Sequence, residues 1–190
     1  MKVKRAVFFD RDGVINEVLF RGGEKPIAPW KLDEFKLITG IKKPLEKLHQ
    51  MGFLLFVVSN QPDIAKKYVD FSTVNKMNEI ILKTFPIKEI MICPHEDHHK
   101  CHCRKPKPGM LIDLSTKWLI DLNKCFIIGD SWKDIEAGRA AGCTTILLDK
   151  HYNRSVEADY RSKNLDDVVK IIKSHDHMLR SSKQDLNEFY

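Results

Sequence analysis

Short runs of consecutive apolar residues recur along this chain, and stretches with apolar residues at every third or fourth position lie between them. A continuous apolar run is typical of a strand that is buried on both faces of a parallel sheet. The run Phe-Leu-Leu-Phe-Val-Val at 53–58 is the clearest case. On this pattern, strands are predicted at residues 3–9, 53–58, 89–93, 125–128 and 144–148.

The stretches between these runs have helical periodicity. In the first of them, apolar side chains stand at positions 41, 45, 48 and 51, and Gly52 follows as a terminator. Ser72 is predicted as the N-cap of the second helix, and Gly142 as the C-cap of the fourth. Helices are predicted at residues 41–51, 72–85, 108–121, 134–141 and 165–172.

The alternation of strands and helices predicts a doubly wound, Rossmann-like α/β fold with a parallel sheet. We expect a single domain over residues 1–173, followed by a polar tail over 174–190 that is either disordered or a loosely docked helix. No run is long enough to form a separate cap domain. The irregular stretch 17–34 is a long loop, and loops of this length are often functional.

Composition agrees with a soluble protein that forms one core. The chain has 190 residues, of which 43% are hydrophobic and 31% charged. No apolar run approaches the roughly 20 residues that cross a membrane, and the N-terminal run is too short for a signal peptide. We therefore expect a cytoplasmic protein, acting as a monomer. Its net charge of +6 favours anionic partners, either nucleic acid or a small phosphorylated substrate.

Polar side chains follow three of the predicted strands directly. Asp and Gly are ordinary turn residues, so any one of these positions has a structural explanation. The carboxyl ends of parallel strands lie on one edge, however, and several acidic groups meeting there call for a cation such as Mg²⁺. The residues are Asp10, Asp12, Ser59, Asn60, Asp130 and Asp134. A basic residue to complete a phosphate site is available in the run that begins at Arg104 and Lys105.

Three of the five cysteines and four of the eight histidines crowd into residues 93–103. In a chain without a secretion signal, this pattern indicates metal ligation rather than disulfides. Three thiolates and one imidazole match a structural, tetrahedral zinc site. The predicted ligands are Cys93, His95, Cys101 and Cys103, with His98, His99 and His102 as rivals. We expect the metal to fix the loop that carries Arg104 and Lys105. A zinc module that binds nucleic acid is the alternative.

Four segments, in this order, resemble the sequential motifs of the haloacid dehalogenase-like phosphatases. They are Asp10-Arg11-Asp12-Gly13, Ser59-Asn60, Lys105 and Gly129-Asp130-x3-Asp134. The resemblance spans residues 3–148 and implies a cap-less fold of that superfamily, with a zinc-stabilised loop.

The resemblance also implies roles for these residues. Asp10 would attack phosphorus, and Asp12 would protonate the leaving oxygen and later deprotonate a water. Ser59 and Lys105 would stabilise the transferred phosphoryl group. Mg²⁺ would be held by Asp10, the backbone carbonyl of Asp12 and Asp130, with Asp134 in support.

The Cys/His segment resembles the zinc-binding branch of that superfamily. This branch contains the heptose 1,7-bisphosphate 7-phosphatases and the histidinol-phosphate phosphatases. The resemblance implies that the substrate, a small phosphorylated metabolite, contacts Arg11, Val18, Leu19, Phe20, Arg21, Asn60, Gln61 and Arg104. The run 60–67 keeps the Asn-Gln pair of the heptose enzymes but lacks a glycine and an arginine that usually follow it, and Ser131 replaces a common lysine. Histidinol phosphate and a polynucleotide end therefore stay open as alternatives to the 7-phosphate of a heptose bisphosphate.

Overall fold

The centre of the molecule is a parallel sheet whose central strands are buried on both faces. The structure, a computed structural model, describes residues 3–187, and within 178–187 it describes the helical backbone alone. The strands are β1 Ala6–Phe9, β2 Leu54–Asn60, β3 Glu89–Cys93, β4 Phe126–Gly129, β5 Thr144–Leu148 and β6 Tyr160–Ser162. Their spatial order is β3-β2-β1-β4-β5-β6.

The strand order reverses at β1, which lies between β2 and β4. Phe8 pairs with Phe56 on one side and with Ile127 on the other. In open α/β sheets, ligands bind outside the carboxyl ends of the strands at such a switch point. The topology therefore places a site where β1 and β4 end, near Asp10 and Asp130.

Helices cover both faces of the sheet, as the predicted doubly wound fold requires. They are α1 Lys42–Gln50, α2 Phe71–Thr84, α3 Gly109–Trp118, α4 Trp132–Ala141 and α5 Leu165–Asn187. Alternate residues of β1 enter two different cores. Val7 and Phe9 pack with residues of α1, α2 and α5, whereas Ala6 and Phe8 pack with residues of α3 and α4.

Two details of the predicted elements are wrong. Helix α2 begins at Phe71 with Asp70 as its N-cap residue, so Ser72 lies inside the first turn. Strand β6 was not predicted, because its three residues include an exposed arginine and form no apolar run. The strands 89–93 and 144–148 have the predicted bounds.

The predicted C-terminal tail is helical as far as the structure describes it. Helix α5 continues from the predicted closing helix to Asn187, and Arg5 forms an ion pair with its Asp176. Residues 1–2 and 188–190 lie outside the described residues. Among residues 3–187 there is no separate cap domain, and no helix there has the length and apolar character that a membrane span needs.

Candidate active site

The first acidic residues leave the sheet at the predicted edge. The amide of Asp10 donates a hydrogen bond to the carbonyl of Ile128 at 2.9 Å, which continues the pairing of β1 with β4. The chain then turns at Gly13, whose φ of 84° lies in the left-handed region. A Cβ on Gly13 would stand 2.0 Å from the Oδ2 atom of Asp130. This turn therefore brings the two strand ends into contact, and it requires glycine.

Three carboxyl groups and one buried ammonium group meet at this edge. Carboxylate oxygens of Asp10, Asp130 and Asp134 lie within 4.8 Å of one another. The Nζ atom of Lys105, whose side chain is only 2% exposed, donates to Asp10 at 2.9 Å and to Asp134. When all four groups are ionised, three negative charges face one positive charge, and two negative charges are uncompensated.

Burial and the charge imbalance together shift the pKa values of the cluster. Burial, followed by the charge of Asp134, raises the pKa of Asp10 to about 8 and that of Asp130 to about 6. Burial alone lowers the pKa of Lys105, but Asp10 and Asp134 outweigh it and hold that pKa above its ordinary value. Lys105 therefore stays charged, and the carboxylates need a further cation.

The donor set of this cluster fits a hard divalent ion. The available ligands are carboxylate oxygens, which such ions prefer, and the two uncompensated charges match its charge. The hydroxyl group of Tyr152 donates a hydrogen bond to the Asp130 carboxylate, and the side-chain amide of Asn153 donates one to the Asp130 backbone carbonyl at 2.8 Å. These contacts orient Asp130 toward the cluster. The sequence analysis missed both residues, although they follow the carboxyl end of β5, where a search could have found them.

The other predicted catalytic side chains also meet at this edge. Asp12 lies beside Gln61, which donates to its Oδ2 atom at 2.6 Å and to the Oγ atom of Ser59 at 2.9 Å. Asn60 makes two hydrogen bonds with the backbone of Lys105, at 2.9 and 3.0 Å. Asn60 therefore attaches the loop that carries Lys105 to the end of β2.

The predicted cysteine and histidine ligands form a second cluster. The Sγ atoms of Cys93, Cys101 and Cys103 and the Nδ1 atom of His95 lie within 4.8 Å of one another, and the closest pairs are 3.5–3.6 Å apart. Tetrahedral bonds of about 2.3 Å to one zinc ion would place sulfurs about 3.8 Å apart. Burial and the neighbouring thiols raise the pKa of Cys103 to about 12. A bound cation would reverse that shift, so the donors fit a zinc ion.

The rival histidines point elsewhere. His99 accepts a hydrogen bond from the amide of Glu96 at 3.0 Å, and its ring contacts that of His98. His102 pairs with Asp113 at 2.9 Å. Within the part of the chain that the structure describes, none of the three joins the group that could hold a metal.

A cavity of about 690 Å³ opens over the acidic cluster, and both Asp10 and Asp12 line it. Its walls come from the loop after β1, the loop after β2, the loop after β3 that carries the cysteine and histidine cluster, and the start of α4. Besides Lys105 at its floor, four further basic side chains line it, namely Lys25, Lys66, Arg104 and Lys133. The sequence analysis named only Arg104 among them, because the other three lie in loops without a recognisable pattern.

Three of the predicted substrate-binding residues line this cavity: Val18, Asn60 and Arg104. Leu19, Phe20 and Arg21 are not among its lining residues. Leu19 pairs with the backbone of Ile27, whereas Phe20 lies against the rings of His151 and Tyr152.

Arg21 is engaged outside the cavity. It forms an ion pair with Glu34 at 2.5 Å and lies 4.3 Å from the ring centre of Trp30. Tyr68 packs on the same indole at 4.8 Å, and the indole Nε1 donates to Asp63 at 2.8 Å. Trp30 therefore joins the loops after β1 and β2 as part of the cavity wall.

Arg11 and Gln61 are not placed where a substrate could contact them. The two residues are 0% and 1% exposed, and neither lines the cavity. Both side chains face Asp12 instead. Direct substrate contact, expected for both from the resemblance, is therefore replaced by contact with the second aspartate.

Comparison with known proteins places this geometry in a family. A family model described as HAD-hydrolase-like matches residues 102–174. D-glycero-alpha-D-manno-heptose-1,7-bisphosphate 7-phosphatase of Campylobacter jejuni is 33% identical over 181 residues, which cover 93% of this chain and 99% of the relative. D-glycero-beta-D-manno-heptose-1,7-bisphosphate 7-phosphatase of Pasteurella multocida is 33% identical over 187 residues, which cover 90% of this chain and 98% of the relative.

A solved structure agrees with the fold over nearly the whole chain. The D,D-heptose 1,7-bisphosphate phosphatase from B. bronchiseptica, complexed with magnesium and phosphate, superposes with a TM-score of 0.76 at 25% identity. The match covers 91% of this chain and 99% of that one. The chain therefore belongs to the haloacid dehalogenase-like phosphatases, in the family that these heptose-1,7-bisphosphate 7-phosphatases represent.

Proposed function

We propose that this phosphatase removes the 7-phosphate of D-glycero-D-manno-heptose 1,7-bisphosphate through an aspartyl-phosphate at Asp10, with Mg²⁺ as its cofactor. The observation that carries the chemistry is the contact of Asp10 with Lys105, beside Asp130 and Asp134, at the floor of the cavity. The substrate is inferred from the names of the relatives, which match almost the whole chain.

In the proposed reaction, a carboxylate oxygen of Asp10 attacks phosphorus and the bond from phosphorus to the leaving oxygen breaks. The leaving oxygen keeps that electron pair and takes a proton from Asp12, which gives the alcohol and an aspartyl-phosphate. Asp12, now a carboxylate, takes a proton from water as the resulting hydroxide attacks phosphorus. The bond from phosphorus to Asp10 then breaks, which releases inorganic phosphate and restores both aspartates.

Charge around the phosphoryl group supports this assignment. Lys105 and the hydroxyl of Ser59 would stabilise the charge that spreads over the phosphoryl oxygens. A magnesium ion held by Asp10, Asp130 and the carbonyl of Asp12, with Asp134 in support, would neutralise phosphate charge when it is bound. Zinc on the three cysteines and His95 would hold the loop that carries Lys105, without touching the substrate.

The basic rim of the cavity favours a substrate with two phosphates. Lys25, Lys66, Arg104 and Lys133 line the cavity above the acidic floor. One phosphate at Asp10 would leave the second within reach of these side chains. A cavity of about 690 Å³ also suits a sugar of this size.

A substrate panel tests the proposal. We would measure kcat/KM for the alpha and beta anomers of heptose 1,7-bisphosphate, histidinol phosphate and a 3′-phosphorylated oligonucleotide. One heptose anomer should exceed the other two substrate classes at least about tenfold, since a matched second phosphate adds binding energy. A higher value for histidinol phosphate or for the oligonucleotide would overturn the substrate proposal and leave the chemistry intact.

The chemistry has its own test in the Asp10→Asn variant. Loss of the nucleophile should lower kcat at least about 10⁴-fold while the protein stays folded. Asp113→Asn, on the surface of α3 and bonded only to His102, is the matched control and should keep wild-type activity. Wild-type turnover by Asp10→Asn in the presence of Mg²⁺ would refute the aspartyl-phosphate.

A further inference from the structure

Three buried side chains converge on the carboxyl group of Asp12. Arg11 and Asn16 are both 0% exposed and Gln61 is 1% exposed. Gln61 Nε2 lies 2.6 Å from Asp12 Oδ2, whereas Asn16 Nδ2 lies 2.9 Å and Arg11 NH2 lies 3.1 Å from Oδ1. Both oxygens are held, so the carboxyl group has one fixed orientation.

Gln61 is itself fixed by the sheet. Its backbone amide donates to the carbonyl of Cys93 at 2.7 Å, at the end of β3. Its side-chain amide also donates to the hydroxyl oxygen of Ser59 at 2.9 Å. Since it does not line the cavity, its side chain acts on the reaction only through Asp12 and Ser59.

In two of the side-chain amides around Asp12, the oxygen atom has no hydrogen-bond partner in the described part of the chain. Among the residues that the structure describes, three buried side-chain polar atoms lack a hydrogen-bond partner, and two of them are Asn16 Oδ1 and Gln61 Oε1. Both amides are therefore oriented with their N–H groups toward Asp12.

The N–H group of Gln61 can hold Asp12 in both protonation states. An amide N–H donates to an oxygen of a carboxyl group whether that group is protonated or ionised. The contact of 2.6 Å between Gln61 Nε2 and Asp12 Oδ2 therefore leaves the acidic proton free for the leaving oxygen. Gln61 is thereby able to hold Asp12 both as the acid, before the proton transfer, and as the carboxylate, after it.

We propose that Gln61 is a positioning residue that holds the Asp12 carboxyl group in the orientation for proton transfer to and from the reacting oxygens. The inference rests on the proposed function, because it takes Asp12 to be the acid. In this proposal Gln61 contacts the acid Asp12 rather than the substrate. Arg11 and Asn16 help to hold the same carboxyl group.

The test uses two esters that differ in their need for an acid. A primary alkyl phosphate must receive a proton on its leaving oxygen, whereas 4-nitrophenolate leaves without one. The value of kcat/KM reports the first step alone, up to formation of the aspartyl-phosphate. Gln61→Met removes the amide at similar volume. It should lower kcat/KM about 10–100-fold for the alkyl ester that the wild type hydrolyses fastest, and less than about threefold for 4-nitrophenyl phosphate.

Two comparisons make the result specific. Thr145→Val, on β5, removes a hydroxyl that donates a hydrogen bond to the Asp159 carboxylate at 2.8 Å and accepts one from the Asp159 amide at 3.0 Å; neither contact involves Asp12, so both values should stay unchanged. Gln61→Asn, whose amide is one methylene shorter, serves if the methionine variant does not fold, and it should show the same selective loss. Equal losses on both esters, or no loss, would overturn the positioning role.

Asp12→Asn separates this inference from the proposed function. A selective loss on the alkyl ester in Asp12→Asn confirms the acid. If Gln61→Met then lacks that selectivity, only the inference about Gln61 fails. If kcat/KM of Asp12→Asn itself falls equally for both esters, the acid assignment fails, and the inference about Gln61 fails with it.

Discussion

At the scale of single residues, Lys105 shows how the site tolerates buried charge. Its ammonium group is enclosed by Asp10, Asp134 and the carbonyl of Val58, from which it lies 2.7 Å. A buried cation is stable only when such partners surround it. The same side chain attracts the phosphoryl group of a substrate, so one charge serves both the fold and the reaction.

Gly13 gives a prediction at this scale. Gly13→Ala places a Cβ 2.0 Å from the Asp130 carboxylate, so that side chain must move away from the cluster. We expect Mg²⁺ to bind about 10–100-fold more weakly, as when a supporting contact of a metal ligand is lost. Titration calorimetry with Mg²⁺, in the absence of substrate, measures the effect.

Gly40→Ala is the matched control. Gly40 has a φ of 81°, close to that of Gly13, but no atom lies within 4 Å of its added Cβ. Both substitutions carry the left-handed backbone cost of about 1–2 kcal/mol, and only Gly13→Ala crowds Asp130. Equal Mg²⁺ affinities in the two variants would refute the steric explanation.

Sequence reasoning located Asp10, Ser59 and Asp130 because each lies at the end of an apolar run that predicts a strand. It located Lys105 because this residue follows the cluster of cysteines and histidines. It assigned Gln61 to substrate binding together with Asn60. The two neighbours Asn60 and Gln61 look alike in the sequence, and only the turn after β2 decides which amide meets Asp12 and which meets Lys105. Tyr152 was missed for a similar reason, since its contact with Asp130 depends on the path of the loop after β5.

At the scale of elements, the loop after β3 depends on its thiol cluster. Few apolar side chains anchor this loop, and its ends are held by Cys93 at the end of β3 and by Cys103 next to Arg104. Arg104 donates to the carbonyl of His95 at 2.9 Å and pairs with Asp97 at 2.6 Å. A metal ion in the cluster would thus fix Arg104 and Lys105 together.

Removal of that metal is the second prediction. Purified protein should contain about one zinc per chain, and Cys101→Ser should lose it, because a hydroxyl is a poor zinc ligand. Phosphatase activity should fall at least about 100-fold, since Lys105 is no longer held, while the far-ultraviolet circular dichroism keeps its α/β character. Metal analysis and kinetics on the same sample measure both effects.

Cys143→Ser provides the comparison for that experiment. Cys143 is a buried thiol beside β5 and is not part of the cluster. Its substitution should lower stability without lowering zinc content or kcat. Full activity of Cys101→Ser without zinc would show that the loop holds its shape by other contacts.

The elements themselves were predictable in proportion to their patterns. Strands β3 and β5 had the predicted bounds because apolar runs and turn residues delimit them. Strand β6 and the extension of α5 were not predicted, because a three-residue edge strand and a polar helix depend on neighbours rather than on periodicity. The lysines around the cavity belong to loops, which the sequence pattern does not place.

At the scale of the whole molecule, the site reduces the stability of the metal-free fold. The pKa of Asp10 rises from 3.8 to about 8 and that of Asp130 to about 6, both chiefly through burial. The folded state therefore binds more protons than the unfolded chain between about pH 4 and pH 8. Stability falls with rising pH across that window, by an amount on the order of a few kcal/mol.

The third prediction follows from the sign of this effect. Mg²⁺ binds the ionised carboxylates, so it should raise the melting temperature more at pH 8 than at pH 5. At pH 8, Asp10 and Asp130 must otherwise be ionised although Lys105 balances only part of the negative charge of the cluster. Differential scanning calorimetry with and without Mg²⁺ at the two pH values measures this difference. The informative quantity is the Mg²⁺ increment rather than the melting temperature itself.

A double variant, Asp10→Asn with Asp130→Asn, isolates the contribution of the site. It keeps the fold but removes both carboxyl groups with raised pKa values. Its metal-free form should be more stable than the wild type at pH 8 and nearly equal to it at pH 5, and its Mg²⁺ increment should vanish at both. An equal increment for the wild type at pH 5 and pH 8 would contradict the charge imbalance. A stability gain in the variant would show that the carboxylates which carry the chemistry are kept at the expense of the fold.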